Sequence, residues 1–264
     1  MMPIVWDLRL FGYDLALPTY GLMLAVAFLV ALAVAVRLAR REGVEPTAVT
    51  DLWILSLLSG VIGAKLLLYA LEWRYYVENP AAILSSLRSA GVWYGGLLVA
   101  IAVCLIAVRR RGLDGWLMGD IAAPAIALGQ AIGRLGCLAA GCCYGKTCSL
   151  SWAITFTNPR AHEITGVPLN VPLHPTQAYH ALADFGLFLA LLWLMPRRRF
   201  NGQVLLVYLV LYSVMRAAIE IYRGDPRGAL WSLFSTSQVL GVAIALVAGW
   251  LYLKRSRAPA AARR

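Results

Sequence analysis

Seven apolar runs, each about 20 residues long, constrain this chain more than any other feature of its sequence. An α-helix needs about 20 consecutive apolar residues to cross the hydrocarbon core of a bilayer. The runs cover residues 20–36, 50–71, 92–108, 116–135, 176–195, 203–222 and 235–253. The sequence therefore predicts an all-α integral membrane protein with seven transmembrane helices in a single domain over residues 1–253.

Composition agrees with that prediction. Hydrophobic residues make up 61% of the chain and charged residues 14%, whereas soluble proteins average about 45–50% apolar and about 25% charged residues. The formal net charge of +11 comes from short basic clusters beside the apolar runs. Such clusters are typical of membrane topology signals, so we expect no nucleic-acid partner.

The basic clusters follow alternate apolar runs and so predict the orientation of the helices. They comprise Arg37, Arg40 and Arg41; Arg109, Arg110 and Arg111; Arg197, Arg198 and Arg199; and a basic tail at 254–264. Because cytoplasmic loops carry an excess of Lys and Arg, the N-terminus is predicted outside and the C-terminus in the cytoplasm. The longest outer loop, 136–175, contains one predicted strand (SWAITF) and is expected to form a small extracytoplasmic head.

The segment before the first run alternates apolar and polar residues in the sequence IVWDLRLFGYDLAL. This alternation predicts a short extracytoplasmic hairpin or an interfacial segment. A basic leader and a small-residue cleavage site are both missing, so a cleaved signal peptide is not expected.

Charged residues inside the apolar runs are functional candidates, because a charge in the bilayer core is costly. Asp51 and Asp120 fall near predicted cytoplasmic ends, where interfacial capping explains them. No pattern explains Asp184, which falls near mid-depth in the fifth run. Lys65 and Arg134 lie in the outer halves of two other runs, where capping is not the expected role.

The sixth run carries a polar stripe. Tyr212, Arg216, Glu220 and Arg223 fall within about 80° of one another on a helical projection. One interpretation is structural: Arg216 and Glu220 form an i,i+4 ion pair, and Arg134 reaches outward to the interface. The other is an outward-facing cavity for an anion, most simply a lipid phosphate. Cations at similar depth on three separate helices favour the cavity.

These residues belong to motifs that resemble the prolipoprotein diacylglyceryl transferases, seven-helix enzymes of the bacterial inner membrane. The matching segments are TYGLM (19–23), GAKLLLY (63–69), YGGLL (94–98), GRLGCLAAG (133–141), HPTQAY (174–179) and the stripe from Tyr212 to Arg223. The resemblance covers nearly the whole chain. It implies transfer of the diacylglyceryl group of phosphatidylglycerol to the cysteine thiol of a prolipoprotein lipobox, with release of glycerol phosphate and formation of a thioether.

The resemblance also implies roles for individual residues. The catalytic candidates are Arg134, Arg216, Tyr94 and His174. The candidates for binding lipid and phosphate are Tyr20, Lys65, Gly95, Gly96, Gly133, Gly136, Gly141, Gln177, Tyr212, Glu220 and Arg223. The implied partners are phosphatidylglycerol, the lipobox segment and membrane lipid, and no cofactor or metal is expected.

Several positions depart from the family pattern. Tyr94 stands where the family has the histidine that is its candidate base, and tyrosine with a pKa near 10 is a poor base at neutral pH. His174 and His180 are possible substitutes. In the Gly-Arg signature, Cys137 and Cys142 replace an asparagine and a glutamate. A paralogue with a different acceptor or lipid, or a non-catalytic lipid-binding or redox-sensing protein, therefore stays open as an alternative.

Four cysteines share the predicted outer loop: Cys137, Cys142, Cys143 and Cys148. Their spacing lacks the C-x2-C pairs of a zinc ribbon, and the adjacent pair makes chelation of one ion awkward. An oxidising exterior favours two disulfides, with Cys137 and Cys148 each joined to Cys142 or Cys143. Reactive thiols in catalysis or redox sensing are the other alternative, and the isolated Cys104 is expected to be a packing residue.

Overall fold

Helices dominate the computed structural model, which describes residues 3–10, 13–86, 91–225, 229–230 and 234–257. The long helices are α1 (Thr19–Arg41), α2 (Pro46–Leu71), α5 (Trp93–Arg110), α6 (Gly115–Ala140), α8 (Thr176–Leu194, extended by a 3-10 turn to Arg197), α9 (Gln203–Glu220) and α10 (Thr236–Arg257). Within the described residues, these seven are long and apolar enough to cross a membrane. The prediction of an all-α integral membrane protein with seven spanning helices is confirmed, and the orientation stays a prediction.

The remaining elements are short. They are helices α3 (Trp73–Glu78), α4 (Ala82–Ser86) and α7 (Pro159–Thr165), and three antiparallel strand pairs, β1 (Ile4–Leu10) with β2 (Tyr13–Pro18), β3 (Ile154–Thr155) with β4 (Pro172–Leu173), and β5 (Ala229–Leu230) with β6 (Phe234–Ser235). The N-terminal alternation thus pairs as a hairpin, and the predicted strand SWAITF shortens to β3. The basic tail beyond residue 257 lies outside the described residues.

The chain divides into two compact units, one of Met1–Ala35 with Gly119–Arg264 and the other of Val36–Met118. In the smaller unit, α2 and α5 approach so closely that only glycine fits between them. A Cβ atom on Gly95 would lie 2.5 Å from the Gly63 carbonyl oxygen, and one on Gly96 would lie 2.7 Å from the Gly60 carbonyl oxygen. Small residues of this kind let transmembrane helices pack backbone against backbone.

Polar residues near the helix ends act as caps and surface pairs. Buried Asp120 accepts hydrogen bonds from the Gly202 amide (2.7 Å) and the Leu205 amide (2.9 Å), and so caps the start of α9. In the smaller unit, exposed Asp51 pairs with Arg111 at 2.9 Å. The interfacial capping expected for Asp120 is therefore confirmed, because its carboxylate satisfies amides that the helix itself leaves unpaired.

The segment between α6 and α8 forms a small body of its own. Its apolar core consists of Tyr144, Phe156, Ala161, Val167 and Leu173. Asn158 caps α7 by accepting a hydrogen bond from the Arg160 amide at 3.0 Å. This core holds in place the two ends of the segment, which border the candidate site.

Candidate functional site

Backbone hydrogen bonds between three stretches of chain hold together the ends of α6, α8 and α9. The stretch 144–146 hydrogen-bonds to His174 on one side, with its Gly145 amide donating to the His174 carbonyl at 3.1 Å. On the other side the Lys146 amide donates to the Tyr222 carbonyl at 2.8 Å. A Cβ atom on Gly145 would lie 2.5 Å from the His174 carbonyl oxygen and 2.9 Å from that of Tyr222. Only glycine permits this approach, which brings three helix ends together.

Arg216 on α9 is held by two partners. Its Nη1 donates to Glu220 Oε2 at 2.6 Å and to His180 Nε2 at 3.2 Å. The side chains of Arg216 and Glu220 are only 11% and 7% exposed. The structural ion pair predicted from the spacing is thus present, and it coexists with a contact to α8 that the spacing could not reveal. The hydrogen bond to His180 orients the guanidinium from a second helix.

Arg223 lies three residues beyond the end of α9, and it is buried. Its Nε and Nη2 donate to the two carboxylate oxygens of Asp225, each at 2.9 Å, and Nε lies 3.8 Å from Glu220 Oε2. Desolvation lowers the pKa of this guanidinium, but the hydrogen bonds to Asp225 and the nearby Cys143 outweigh it and raise the pKa. Nη1 is buried and has no hydrogen-bond partner among the described residues. This donor is therefore available to an anion.

Arg134 on α6 faces the same region. It interacts electrostatically with Tyr212, Cys143 and Cys137. Arg134 and Arg216 both attract the carboxylate of Asp184, which is 1% exposed. Neither carboxylate oxygen of Asp184 has a hydrogen-bond partner within the described part of the chain. Asp184 therefore lies within electrostatic range of two arginines, which sequence reasoning missed.

The start of α8 holds the turn that follows α6. Gln177 Nε2 donates to the Cys142 carbonyl at 2.7 Å, and Thr176 Oγ1 donates to the Cys143 carbonyl at 2.8 Å. Both side chains are almost fully buried. Gln177 Oε1 is also buried, without a hydrogen-bond partner in the described residues. Gln177 therefore supplies a fixed polar atom beside the turn.

Three of the four loop cysteines converge. The sulfur atoms of Cys137, Cys142 and Cys143 lie within 4.8 Å of one another, Cys137 being buried and the other two half-buried. Positive φ angles at Gly141 (82°) and Cys143 (60°) turn the chain back on itself at the end of α6. Cys148 is not part of this cluster, and its amide donates to the Pro172 carbonyl at 3.1 Å. All five cysteines are described, and the structure contains no disulfide between them. The predicted pairing of the four loop cysteines in two disulfides stays a prediction.

The thiols of this cluster are not equivalent. Hydrogen bonds with Cys137 and Cys142 lower the pKa of the Cys143 thiol, and the Arg223 guanidinium lowers it further. Among the three thiols, Cys143, next to Arg223, is therefore the one whose anion is favoured most. A thiolate is the nucleophilic and metal-binding form of cysteine.

Other candidates of the larger unit lie around this centre. The ring of Tyr20 packs beside Gly136, where an added Cβ atom would lie 3.5 Å from Tyr20 Cδ2. Space around Gly133 is open among the described residues. His174 lies in an aromatic group, with Nδ1 3.3 Å from the Tyr179 hydroxyl and its ring centroid 5.1 Å from that of Tyr222. His180, rather than His174, is the histidine that contacts Arg216.

Four candidates belong to the smaller unit. Lys65 Nζ donates to the Ser86 carbonyl, and Ser86 Oγ lies 3.0 Å from the Tyr69 hydroxyl. Tyr94 is 38% exposed at the start of α5. Gly95 and Gly96 form the close contact with α2 described above. Within this unit, Lys65 is therefore held beside α4, and the two glycines serve the approach of one helix backbone to another.

Comparisons with known proteins agree on one family. The sequence profile of the family described as Prolipoprotein diacylglyceryl transferase matches residues 8–254. The chain is 33% identical over 243 residues to the phosphatidylglycerol–prolipoprotein diacylglyceryl transferase of Clostridium tetani, covering 92% of this chain and 93% of the relative. A relative of the same name from Synechococcus elongatus is 34% identical over 252 residues, covering 92% of this chain and 86% of the relative.

Proposed function

Because the chain belongs to the prolipoprotein diacylglyceryl transferase family, we propose that it transfers the diacylglyceryl group of phosphatidylglycerol to the cysteine thiol of a prolipoprotein lipobox. The products are a thioether on the prolipoprotein and free glycerol phosphate. The protein is a multi-pass membrane transferase, and we place it in the bacterial cytoplasmic membrane because both substrates are membrane-anchored.

The buried cationic group at the ends of α6, α8 and α9 carries this proposal. In the reaction an alkyl carbon is attacked while a phosphate leaves, so stabilising the negative charge on the departing oxygen is the main requirement. Arg134 and Arg216 would hold the phosphate, since guanidinium groups bind phosphate with two parallel hydrogen bonds. Arg223 Nη1, which has no partner in the described residues, would supply a further donor.

The partners of the arginines support this role. Glu220 and His180 orient Arg216 from two helices, and Asp225 orients Arg223. Preorganised cations stabilise a transition state without the cost of reorienting during the reaction. Tyr20, Tyr212 and Gln177 would add neutral hydrogen bonds to the headgroup or the glyceryl oxygens. Gly133 would let the lipid approach α6, since nothing lies within 4 Å of an added Cβ atom there among the described residues, whereas Gly136 and Gly141 admit the close packing of Met23 and Phe156.

The acceptor thiol must also lose its proton. Tyr94 and His174 are the proposed bases for this step, and Lys65 would bind lipid in the smaller unit, whereas Gly95 and Gly96 are occupied by the contact with α2. Tyrosine serves as a base only where neighbouring cations stabilise its anion. Replacement of the two candidate bases, one at a time, separates their contributions.

Removal of the arginines tests the proposed function. In purified protein supplied with phosphatidylglycerol and a lipobox peptide, Arg134→Ala and Arg216→Ala should each lower transfer by at least about 100-fold, the cost of losing one preorganised donor to a developing charge. Exposed Arg160 on α7 gives the matched control, and Arg160→Ala should keep full activity. Near-normal transfer in both site variants would overturn the phosphate-binding role.

Complementation separates this function from a paralogous transferase with another acceptor. A bacterial strain depleted of its own diacylglyceryl transferase should grow when it expresses this chain, and it should not grow with Arg216→Ala. Failure of the unaltered chain to restore growth, despite insertion at a normal level, would indicate a different acceptor.

A further inference from the structure

We propose that Cys137, Cys142 and Cys143 bind one zinc ion through three thiolates, and that the fourth position of the ion receives the acceptor thiol of the prolipoprotein. This inference rests on the proposed function, because it assigns a task within that reaction to the one cluster of thiols in the described residues. It also departs from the expectation that the chain has no metal site.

The spacing of the three sulfur atoms suits such an ion. They lie within 4.8 Å of one another, whereas tetrahedral zinc with Zn–S distances of about 2.3 Å requires sulfur atoms about 3.8 Å apart. Side-chain rotation closes this difference, since two of the thiols are half-buried at a turn. Catalytic zinc sites use three protein ligands and keep a fourth position for water or substrate.

Two adjacent cysteines such as Cys142 and Cys143 chelate one ion poorly in an extended chain, but the backbone here is not extended. Successive side chains of an extended strand point to opposite faces and cannot bind one ion together. Here Cys143 has a φ of 60° and follows Gly141 with a φ of 82°, so the chain curls around the end of α6. Gln177 and Thr176 fix that curl by donating to the carbonyls of Cys142 and Cys143.

The surrounding charges match a zinc–thiolate group. Three thiolates and a divalent ion carry a net charge of −1, and the acceptor thiolate would bring it to −2. Arg134 interacts electrostatically with Cys143 and Cys137, and Arg223 with Cys143. Two guanidinium groups thus lie beside the thiolates, and Arg134 would also hold the phosphate of the donor lipid next to the acceptor sulfur.

The chemistry balances without any change in the oxidation state of the ion. Coordination to zinc would leave the acceptor as a bound thiolate, and its proton would pass to the base proposed above. Its sulfur forms a bond to the glyceryl carbon, the bond from that carbon to the phosphate oxygen breaks, and the electron pair remains on glycerol phosphate. The resulting thioether is a weaker zinc ligand than the thiolate, so the product leaves and the fourth position reopens.

Metal analysis gives the first test. Protein purified without chelators and reduced with a phosphine should bind one zinc ion per chain in a titration. Cys137→Ser, Cys142→Ser and Cys143→Ser should each weaken zinc binding by at least about 100-fold, since even the loss of an outer-shell partner costs about 10–100-fold. Cys104→Ser and Cys148→Ser are the matched controls and should bind zinc normally. Absence of stoichiometric zinc, or its retention after all three cluster cysteines are replaced, would overturn the site.

A cobalt substitution tests the open position. Cobalt(II) in a three-thiolate site should show sulfur-to-metal charge transfer and tetrahedral ligand-field bands. A lipobox peptide with cysteine should change these bands, and the same peptide with serine should leave them unchanged. An identical spectrum with both peptides would overturn the binding of the acceptor thiol at the ion.

A transfer assay on the same samples distinguishes failure of this inference from failure of the proposed function. Transfer that is fully active in zinc-free protein and unaffected by chelators would remove the ion from the reaction and leave the transferase function in place. Zinc binding and a cobalt response to the cysteine peptide, without any transfer from phosphatidylglycerol, would preserve the site and overturn the proposed reaction.

Discussion

The two compact units use their polar and small residues in opposite ways. In the larger unit, polar and charged side chains from α8 and α9 are buried and linked, as Arg216, Glu220 and His180 show. In the smaller unit, α2 and α5 meet through glycines, and the Asp51–Arg111 pair is exposed. The contrast indicates that the first unit is built to hold charge away from water, whereas the second is built for close packing of helices.

The largest expected effect concerns the buried ion pair of the larger unit. Glu220→Ala leaves Arg216 without its 2.6 Å partner, and loss of one partner of a buried pair costs about 3–5 kcal/mol. We expect a large drop in the midpoint of thermal unfolding in detergent together with loss of transfer. Glu163→Ala is the control, since Glu163 on α7 is exposed. Unchanged stability in Glu220→Ala would show that the buried ion pair of the larger unit contributes no more to stability than the exposed pair of the smaller unit.

The next effect concerns Tyr94 of the smaller unit. If this unit also contributes chemistry, Tyr94→Phe should reduce turnover by about 100-fold or more, the typical contribution of a general base. Tyr94→His should retain or increase turnover, because imidazole is the better base near neutral pH. Measurement of kcat for both variants decides whether Tyr94 acts as a base in the reaction. Full activity in Tyr94→Phe would confine the smaller unit to packing.

A smaller effect is expected from the helix contact itself. Gly95→Ala places a Cβ atom 2.5 Å from the Gly63 carbonyl oxygen, and overpacking of this kind costs about 1–3 kcal/mol. Unfolding in detergent should therefore begin at lower temperature. Gly186→Ala on α8 is the control, since nothing lies within 4 Å of an added Cβ atom there among the described residues. Equal stability of the two variants would contradict the close packing.

The smallest effect should come from the exposed pair. Asp51→Asn removes the ion pair with Arg111, whose side chain is 43% exposed, and such pairs contribute about 0.2–1 kcal/mol. The unfolding midpoint should change little, and the change should disappear at high salt because screening already weakens the pair. A loss as large as that of Glu220→Ala would erase the distinction between buried and exposed charge.

Local rules predicted much of this molecule. Because bilayer thickness fixes the length of a spanning helix, the seven spans can be predicted from the sequence, and the spacing of Arg216 and Glu220 predicts their ion pair. The electrostatic partners of Asp184 and the convergence of the cysteines cannot be predicted in this way. Asp184 interacts electrostatically with Arg134 and Arg216 on other helices, and no local pattern encodes such interactions. Cys143 adopts a positive φ that non-glycine residues rarely take, so the side chains of Cys142 and Cys143 are not arranged as they would be in an extended chain.

The backbone junction at Gly145 has a consequence for biogenesis. Its partners His174 and Tyr222 are synthesised later than Gly145, so the ribosome completes the junction only after α9 has been inserted. A nascent chain released before residue 222 would contain Arg134 and the clustered cysteines without the backbone segment after α9 that completes the junction. Catalytic competence would therefore arise late during translation, and the cluster thiols would be open to oxidants until then.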